Sequence, residues 1–201
     1  MLKLLFQHYQ KLSAALLASG MLVTSGMSYA DWDLDQTDSQ LHFMSVKSTS
    51  IAELHTFKTI TGSLSDSGKA ELVIDLNSVN TNIPIRDERM QAMLFDTVNF
   101  PLAKLAADVD IIAVKALETG QTITQDVELK LDLHGQTQTF PAQLQVTALE
   151  SGKLMVATTA PVVIKAEDFN LVEGVNALRD VAGLPSITLA VPVTATLFFN
   201  P

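Results

Sequence analysis

Strict alternation of apolar and polar residues over 126–133 is the feature that most restricts what this chain can fold into. Valine or leucine occupies every odd position from Val127 to Leu133, and a charged residue occupies every even position. Successive side chains of a β-strand point to opposite faces, whereas a helix would spread these residues around its circumference. The segment is therefore predicted to be a strand with one buried face.

The same period of two recurs along the chain. It is found over 70–76, 105–111 and 140–146, while 153–165 and 186–199 are rich in Val, Thr and Ile. The turn signal His134-Gly135-Gln136 lies between two alternating segments and predicts a hairpin. Many short strands, each with one apolar face, indicate an all-β fold that is either a sandwich or a closed barrel.

Two segments interrupt this pattern. The segment 83–94 is the best candidate for a helix, and a short helix is predicted near residues 84–94. Pro84 suits the first turn of such a helix, and Asp87 lies near the positive end of its dipole. The apolar stripe that we expect to lie against one barrel end consists of Ile85, Met90, Met93 and Leu94. The second segment, 167–185, is expected to be loop-like, with at most a short turn of helix.

Residues 1–30 are predicted to be a cleaved secretory signal peptide. Lys3 and Lys11 precede or border an apolar stretch over 12–23, and Ser28 and Ala30 are small residues at the positions that a signal peptidase reads. A membrane anchor is the alternative, but Ser and Gly residues interrupt the stretch, which is short for a bilayer span. We therefore expect a periplasmic protein consisting of one domain, 31–201, with no integral membrane segment after cleavage.

Composition excludes several function classes. The chain has a net charge of -9, and residues 31–201 hold all 22 acidic residues against 11 basic ones, which disfavours binding to nucleic acid. It has no cysteine, which excludes disulfides and thiolate chemistry. His42, His55 and His134 lack a second ligand at a metal-site spacing, and no nucleophile or nucleotide motif is present. No metal site, catalytic residue or required cofactor is predicted.

A succession of short motifs resembles the YceI-like family of secreted bacterial proteins. The motifs are Trp32-Asp33-Leu34-Asp35, Ser39-Gln40-Leu41-His42-Phe43, Ser78-Val79-Asn80-Thr81, Arg86-Asp87, Leu94-Phe95-Asp96, Asn99-Phe100-Pro101 and Leu131-Asp132-Leu133-His134-Gly135. Each motif alone is weak, whereas their order and spacing cover nearly all of 31–201. Arg89, Met93, Leu94 and Leu105 depart from residues that are common in the family, which leaves the headgroup of any ligand open.

The resemblance implies an extended lipocalin-like antiparallel β-barrel of about eight strands. Members of the family hold a long isoprenoid lipid, such as an isoprenoid quinone or a polyprenyl lipid, inside the barrel. We therefore expect this protein to sequester or carry such a lipid and not to act as an enzyme. Some members lie beside genes for a membrane cytochrome b, which makes such a protein a candidate partner. Barrels of this class often pair, so a homodimer is left open.

Inward positions of the predicted strands are the candidates for contact with a lipid. They are Phe43, Leu72, Ile74, Leu105, Val109, Leu129, Leu131, Leu144, Val156, Leu189 and Val191. Arg86 and Asp87 are candidates for the mouth, where a guanidinium could bind a quinone carbonyl or a phosphate. An internal ion pair that pins the helix to the barrel rim is the alternative role of this pair.

Three functions follow from these expectations. Without the resemblance, the residues favour a barrel that is filled by its own side chains, and such a protein would be an envelope interaction or stress-response module. With the resemblance, a lipid-filled interior is favoured. An enzyme acting on a small apolar substrate ranks last, because the inward positions are almost wholly apolar.

Overall fold

Twelve β-strands form one antiparallel sheet over residues 32–201, the part of the chain that the structure, a computed structural model, describes. The predicted signal peptide at 1–30 lies outside the described residues. The strands are β1 (Trp32–Leu34), β2 (Gln40–Lys47), β3 (Ile51–Phe57), β4 (Ile60–Leu64), β5 (Lys69–Asp75), β6 (Val79–Asn80), β7 (Leu102–Asp108), β8 (Thr122–Leu133), β9 (Gln136–Ala148), β10 (Leu154–Thr158), β11 (Val162–Lys165) and β12 (Ala190–Asn200).

Pairing to the last strand closes the sheet into a barrel. One edge of β12 pairs with β10 and β11, and its other edge pairs with β1 and β2. At four positions around the barrel, two consecutive strands lie end to end and together form one of its eight walls. These strands are β1 with β2, β3 with β4, β5 with β6, and β10 with β11. The result is an eight-walled antiparallel barrel, which confirms the predicted fold class.

The hairpin of β8 and β9 forms the longest wall segment. Thr122 to Leu133 pairs with Gln136 to Thr147 in unbroken register, and His134 and Gly135 at the turn have φ angles of 52° and 72°. Positive φ at both central residues fits the twist of a two-residue hairpin. The odd-numbered residues from Val127 to Leu133 are buried and the even-numbered ones are exposed, as the alternation predicted.

The predicted helix near 84–94 begins as α1 (Pro84–Arg89) and continues as a π-helix over Met90–Phe95. The expected apolar stripe is wrong at two positions, because Ile85 and Met93 are exposed. In a π-helix, residues five apart are aligned, so Met90 and Phe95 lie on the buried side. Phe95, which the stripe omitted, contacts the core in place of Met93.

Two further helices lie where the sequence predicted other structure. Ile111 was expected to end a strand, but it begins α2 (Ile111–Lys115), since the Asp110 side chain accepts a hydrogen bond from the Ala113 amide at 3.1 Å. Within the loop expected over 167–185 lies α3 (Val172–Val181). Its Gly, Val and Asn residues are poor helix formers, and its packing against the π-helix stabilises it instead.

Candidate binding cavity

The barrel encloses a cavity of about 230 Å³. Thr158 and Thr194 are the only polar residues in its lining among the described residues. A polar ligand group placed there would lose its hydrogen bonds to water without replacement, which is costly. The chemistry of the cavity therefore suits a hydrocarbon.

Most of the predicted inward residues line this cavity. They are Phe43, Leu72, Ile74, Leu105, Leu129, Leu131, Leu144, Val156 and Val191. Val109 lines a second cavity instead. Leu189 was predicted to line the interior and is exposed, because it precedes the first residue of β12 in an irregular segment where the strand alternation does not yet apply.

Sequence reasoning missed further lining residues on both strands and helices. Val193, Ala195 and Leu197 continue the alternation of Val191 along β12 and could have been found by extending that pattern. The π-helix and α3 supply others, which no strand pattern could indicate. The missed residues are Leu41, Phe57, Leu76, Leu94, Phe95, Ala103, Leu133, Thr158, Val162, Ile164, Ala166, Leu171, Val175, Val193, Thr194, Ala195 and Leu197.

One end of the barrel is covered by the π-helix and α3, which pack against each other. Gly174 lies at this contact, and a β-carbon there would lie 2.7 Å from the Met93 carbonyl oxygen and 2.8 Å from the Leu94 α-carbon. Leu94 and Val175, one from each helix, both line the cavity. The two helices therefore form the roof of the cavity, and glycine allows their backbones to approach.

A second cavity of about 90 Å³ lies toward the opposite end, where α2 packs. Its lining includes Val109, Val114 and Phe199. Six aliphatic side chains line both cavities, at the level where the two adjoin, and we call this set the aliphatic belt. It consists of Leu72, Leu105, Leu129, Leu144, Val156 and Leu197.

Arg86 and Asp87, the predicted mouth residues, make internal contacts beside the roof. Arg86 donates from Nη1 to Glu53 Oε2 at 2.8 Å and from Nη2 to the Thr81 carbonyl at 2.7 Å. Asp87 Oδ1 accepts from the Thr81 amide at 2.8 Å and from the Thr81 hydroxyl. These contacts tie α1 to β3 and to the segment after β6, so the geometry favours the structural role for the pair.

Charge around Glu53 is balanced from two sides. Lys47 Nζ lies 2.9 Å from the same Oε2 atom that Arg86 contacts. The hydrogen bond from Lys47, together with the positive charge of Arg86, holds the pKa of the Glu53 carboxyl below its ordinary value despite partial burial. The carboxylate is therefore ionised at neutral pH and completes an ion-pair network at the rim.

His55, which the sequence analysis considered only as a metal ligand, is buried next to this network. Its Nε2 lies 2.8 Å from Ser45 Oγ, and its ring centroid lies 5.1 Å from that of Phe43. Among the described residues, neither His55 Nδ1 nor Arg86 Nε has a hydrogen-bond partner. Burial, reinforced by the charge of Arg86, lowers the pKa of His55, so the imidazole is neutral at pH 7.

Residues 32–201 also lack the groupings that two other classes of protein require. This part of the chain contains no group of three or more His, Asp or Glu side chains arranged to hold a metal ion. None of its helices is both long enough and apolar enough to cross a bilayer.

The fold described above is similar to that of two solved structures. A polyisoprenoid binding domain from Saccharophagus degradans, implicated in plant cell wall breakdown, shares 41% sequence identity at a TM-score of 0.84, covering 86% of this chain and 99% of that one. BcnA of Burkholderia cenocepacia shares 18% identity at a TM-score of 0.60, covering 82% of this chain and 98% of that one, which shows a common fold.

A comparison with curated proteins gave no match. A comparison with protein families matches residues 32–199 to the YceI-like domain. The match spans the barrel from β1 to Phe199 in β12, and it includes the motif residues on which the sequence resemblance depends. The chain belongs to the YceI-like family.

Proposed function

We propose that this protein binds an isoprenoid lipid, an isoprenoid quinone or a polyprenyl lipid, with the tail inside the barrel. The observation that carries the proposal is the cavity of about 230 Å³ with its almost wholly aliphatic and aromatic lining. The similarity to a polyisoprenoid binding domain at 41% identity supports the same ligand class. Carriage or storage, not catalysis, is the role that such a lining suits.

Burial of the tail supplies the affinity in this proposal. Each methylene that leaves water contributes about 0.8 kcal/mol, so an isoprene unit of five carbons contributes about 3–4 kcal/mol. An apolar cavity of about 150 Å³ holds a benzene ring. The cavity described here is moderately larger, so a long tail requires the roof or the belt to move.

In this proposal the headgroup lies at the roofed end of the barrel. Each terminal nitrogen of Arg86 already donates one hydrogen bond to a protein oxygen, and its Nε is buried without a hydrogen-bond partner. We therefore assign Arg86 and Asp87 mainly to holding the rim, and only the N–H groups of Arg86 that remain unpaired could donate to a headgroup oxygen. Apolar burial, not headgroup recognition, then dominates the affinity.

We also propose that the protein acts in the periplasm, after removal of residues 1–30. The apolar stretch over 12–23 and the small residues before Asp31 support export. N-terminal sequencing of the protein recovered from a periplasmic extract tests this part, and a mature chain that begins at Asp31 is the expected result. A chain that retains residues 1–30 and stays with the membrane would refute it.

Lipid extraction followed by mass spectrometry tests the binding proposal. The protein purified from periplasm should release a stoichiometric isoprenoid lipid after denaturation. Ala195→Phe places a ring in the cavity and should abolish the bound lipid, whereas Ala190→Phe, on the exposed side of the same strand, should retain it. Absence of lipid from the wild type, repeated after adding quinones and polyprenyl lipids in vitro, would favour an interaction module instead.

A further inference from the structure

The aliphatic belt lies at the level of the barrel where the two cavities adjoin. Its six residues come one each from β5, β7, β8, β9, β10 and β12, which are consecutive walls of the barrel. Leu72 is directly opposite Leu105 in the register, and Val156 is directly opposite Leu197. The belt is therefore a partial ring of branched side chains around the axis.

Cavity volume differs on the two sides of the belt. The larger cavity, about 230 Å³, lies on the roof side and the smaller one, about 90 Å³, lies on the side of α2. The smaller volume is below the roughly 150 Å³ that holds a benzene ring. Because its lining is also almost entirely apolar, it suits the terminal part of a hydrocarbon chain.

We propose that the aliphatic belt sets the length of isoprenoid tail that the barrel holds, an inference that rests on the proposed function. A short tail fits in the larger cavity with the belt closed. A longer tail reaches the smaller cavity only when belt leucines change rotamer and part. No polar group in the belt opposes that passage, so its closure depends only on side-chain packing.

Two leucines on one strand allow a matched comparison. Leu129 belongs to the belt, whereas Leu131, two residues away on the same face of β8, lines only the larger cavity. Their exposed fractions are 7% and 6%, so truncation to alanine removes the same atoms from equivalent surroundings. Leu129→Ala should join the two cavities, whereas Leu131→Ala should only enlarge one of them.

The experiment measures dissociation constants of geraniol, farnesol and geranylgeraniol, which differ by one isoprene unit each, for the wild type and both variants. Each additional buried methylene is worth about a fourfold gain in affinity. The preference for geranylgeraniol over geraniol should therefore be at least about tenfold greater in Leu129→Ala than in Leu131→Ala. Adding Ala107→Leu, which fills the smaller cavity, should reverse the gain.

The possible outcomes distinguish failure of the belt hypothesis from failure of the proposed function. An equal length preference in Leu129→Ala and Leu131→Ala, with binding retained, would show that the belt is ordinary core packing. Failure of the wild type to bind any of the three alcohols would overturn the proposed function and the belt with it. If either alanine variant does not fold, Leu129→Val and Leu131→Val provide the same comparison with a smaller volume change.

Discussion

Replacing Gly174 with alanine tests whether the close approach of two helices forms the roof of the cavity. Alanine is favoured over glycine in a helix by about 0.8–1.0 kcal/mol, so propensity alone predicts stabilisation. At this position, however, the new β-carbon would lie 2.7 Å from the Met93 carbonyl oxygen and 2.8 Å from the Leu94 α-carbon. An ordinary contact begins at 3.4 Å, so the two backbones must separate by about 0.7 Å.

Backbone atoms cannot rotate away as a flexible side chain can, so this separation costs packing energy. Overpacking of this kind costs about 1–3 kcal/mol, and we expect Gly174→Ala to lower the free energy of unfolding by up to about 2 kcal/mol after the gain in helix propensity. Urea unfolding followed by Trp32 fluorescence measures the change, and Ala177→Gly on the same helix calibrates the intrinsic difference between glycine and alanine. Stabilisation by Gly174→Ala would refute the reasoning.

Two further predictions concern the polar network beside the roof. Arg86→Met should lower the free energy of unfolding by about 1–3 kcal/mol, because it removes the donors to Glu53 and to the buried Thr81 carbonyl. The control is Arg89→Met, which removes no ion pair recorded within 32–201 and should change the free energy of unfolding by less than about 0.5 kcal/mol. Urea unfolding measures both changes. The pKa of His55 is lowered in the folded state by burial and by Arg86, against the nearby carboxylates of Glu53 and Asp87. When the pH is lowered below 6.5, the ordinary pKa of histidine, the unfolded chain therefore binds more protons than the folded one. The free energy of unfolding of the wild type should decrease as the pH is lowered through that region. The difference in stability between wild type and His55→Phe should shrink or reverse between pH 7.5 and pH 5, and a difference independent of pH would contradict this assignment.

Strand positions were predictable because their physical cause is local. In β8, one face meets the cavity and the other meets water, so the alternation of Val127 to Leu133 records burial residue by residue. The alternation does not distinguish a sandwich from a barrel, and the barrel was predicted from the resemblance to the YceI-like family. Closure itself depends on β12 pairing with β1 and β2, contacts between opposite ends of the described chain that no local pattern contains.

Helical positions were less predictable because distant contacts decide them. The π-helix aligns Met90 with Phe95, whereas an α-helical pattern selects Met93. Helix α3 has weak intrinsic propensity and is stabilised by contact with the π-helix, through Gly174. The burial of His55 was not predicted either, because it depends on how the barrel packs around the pair that His55 forms with Phe43 across β2 and β3, and the lowered pKa follows from that burial and from Arg86.

The cavity connects the proposed ligand to the stability of the fold. An empty apolar cavity costs about 24 cal/mol per Å³, so a volume of about 230 Å³ corresponds to a cost of about 5 kcal/mol. That cost is comparable with the net stability of an ordinary domain, about 5–15 kcal/mol, and a chain without cysteine has no disulfide to offset it. A hydrocarbon that fills the cavity restores those packing contacts, so an isoprenoid tail would act as part of the core, and binding and folding would stabilise each other.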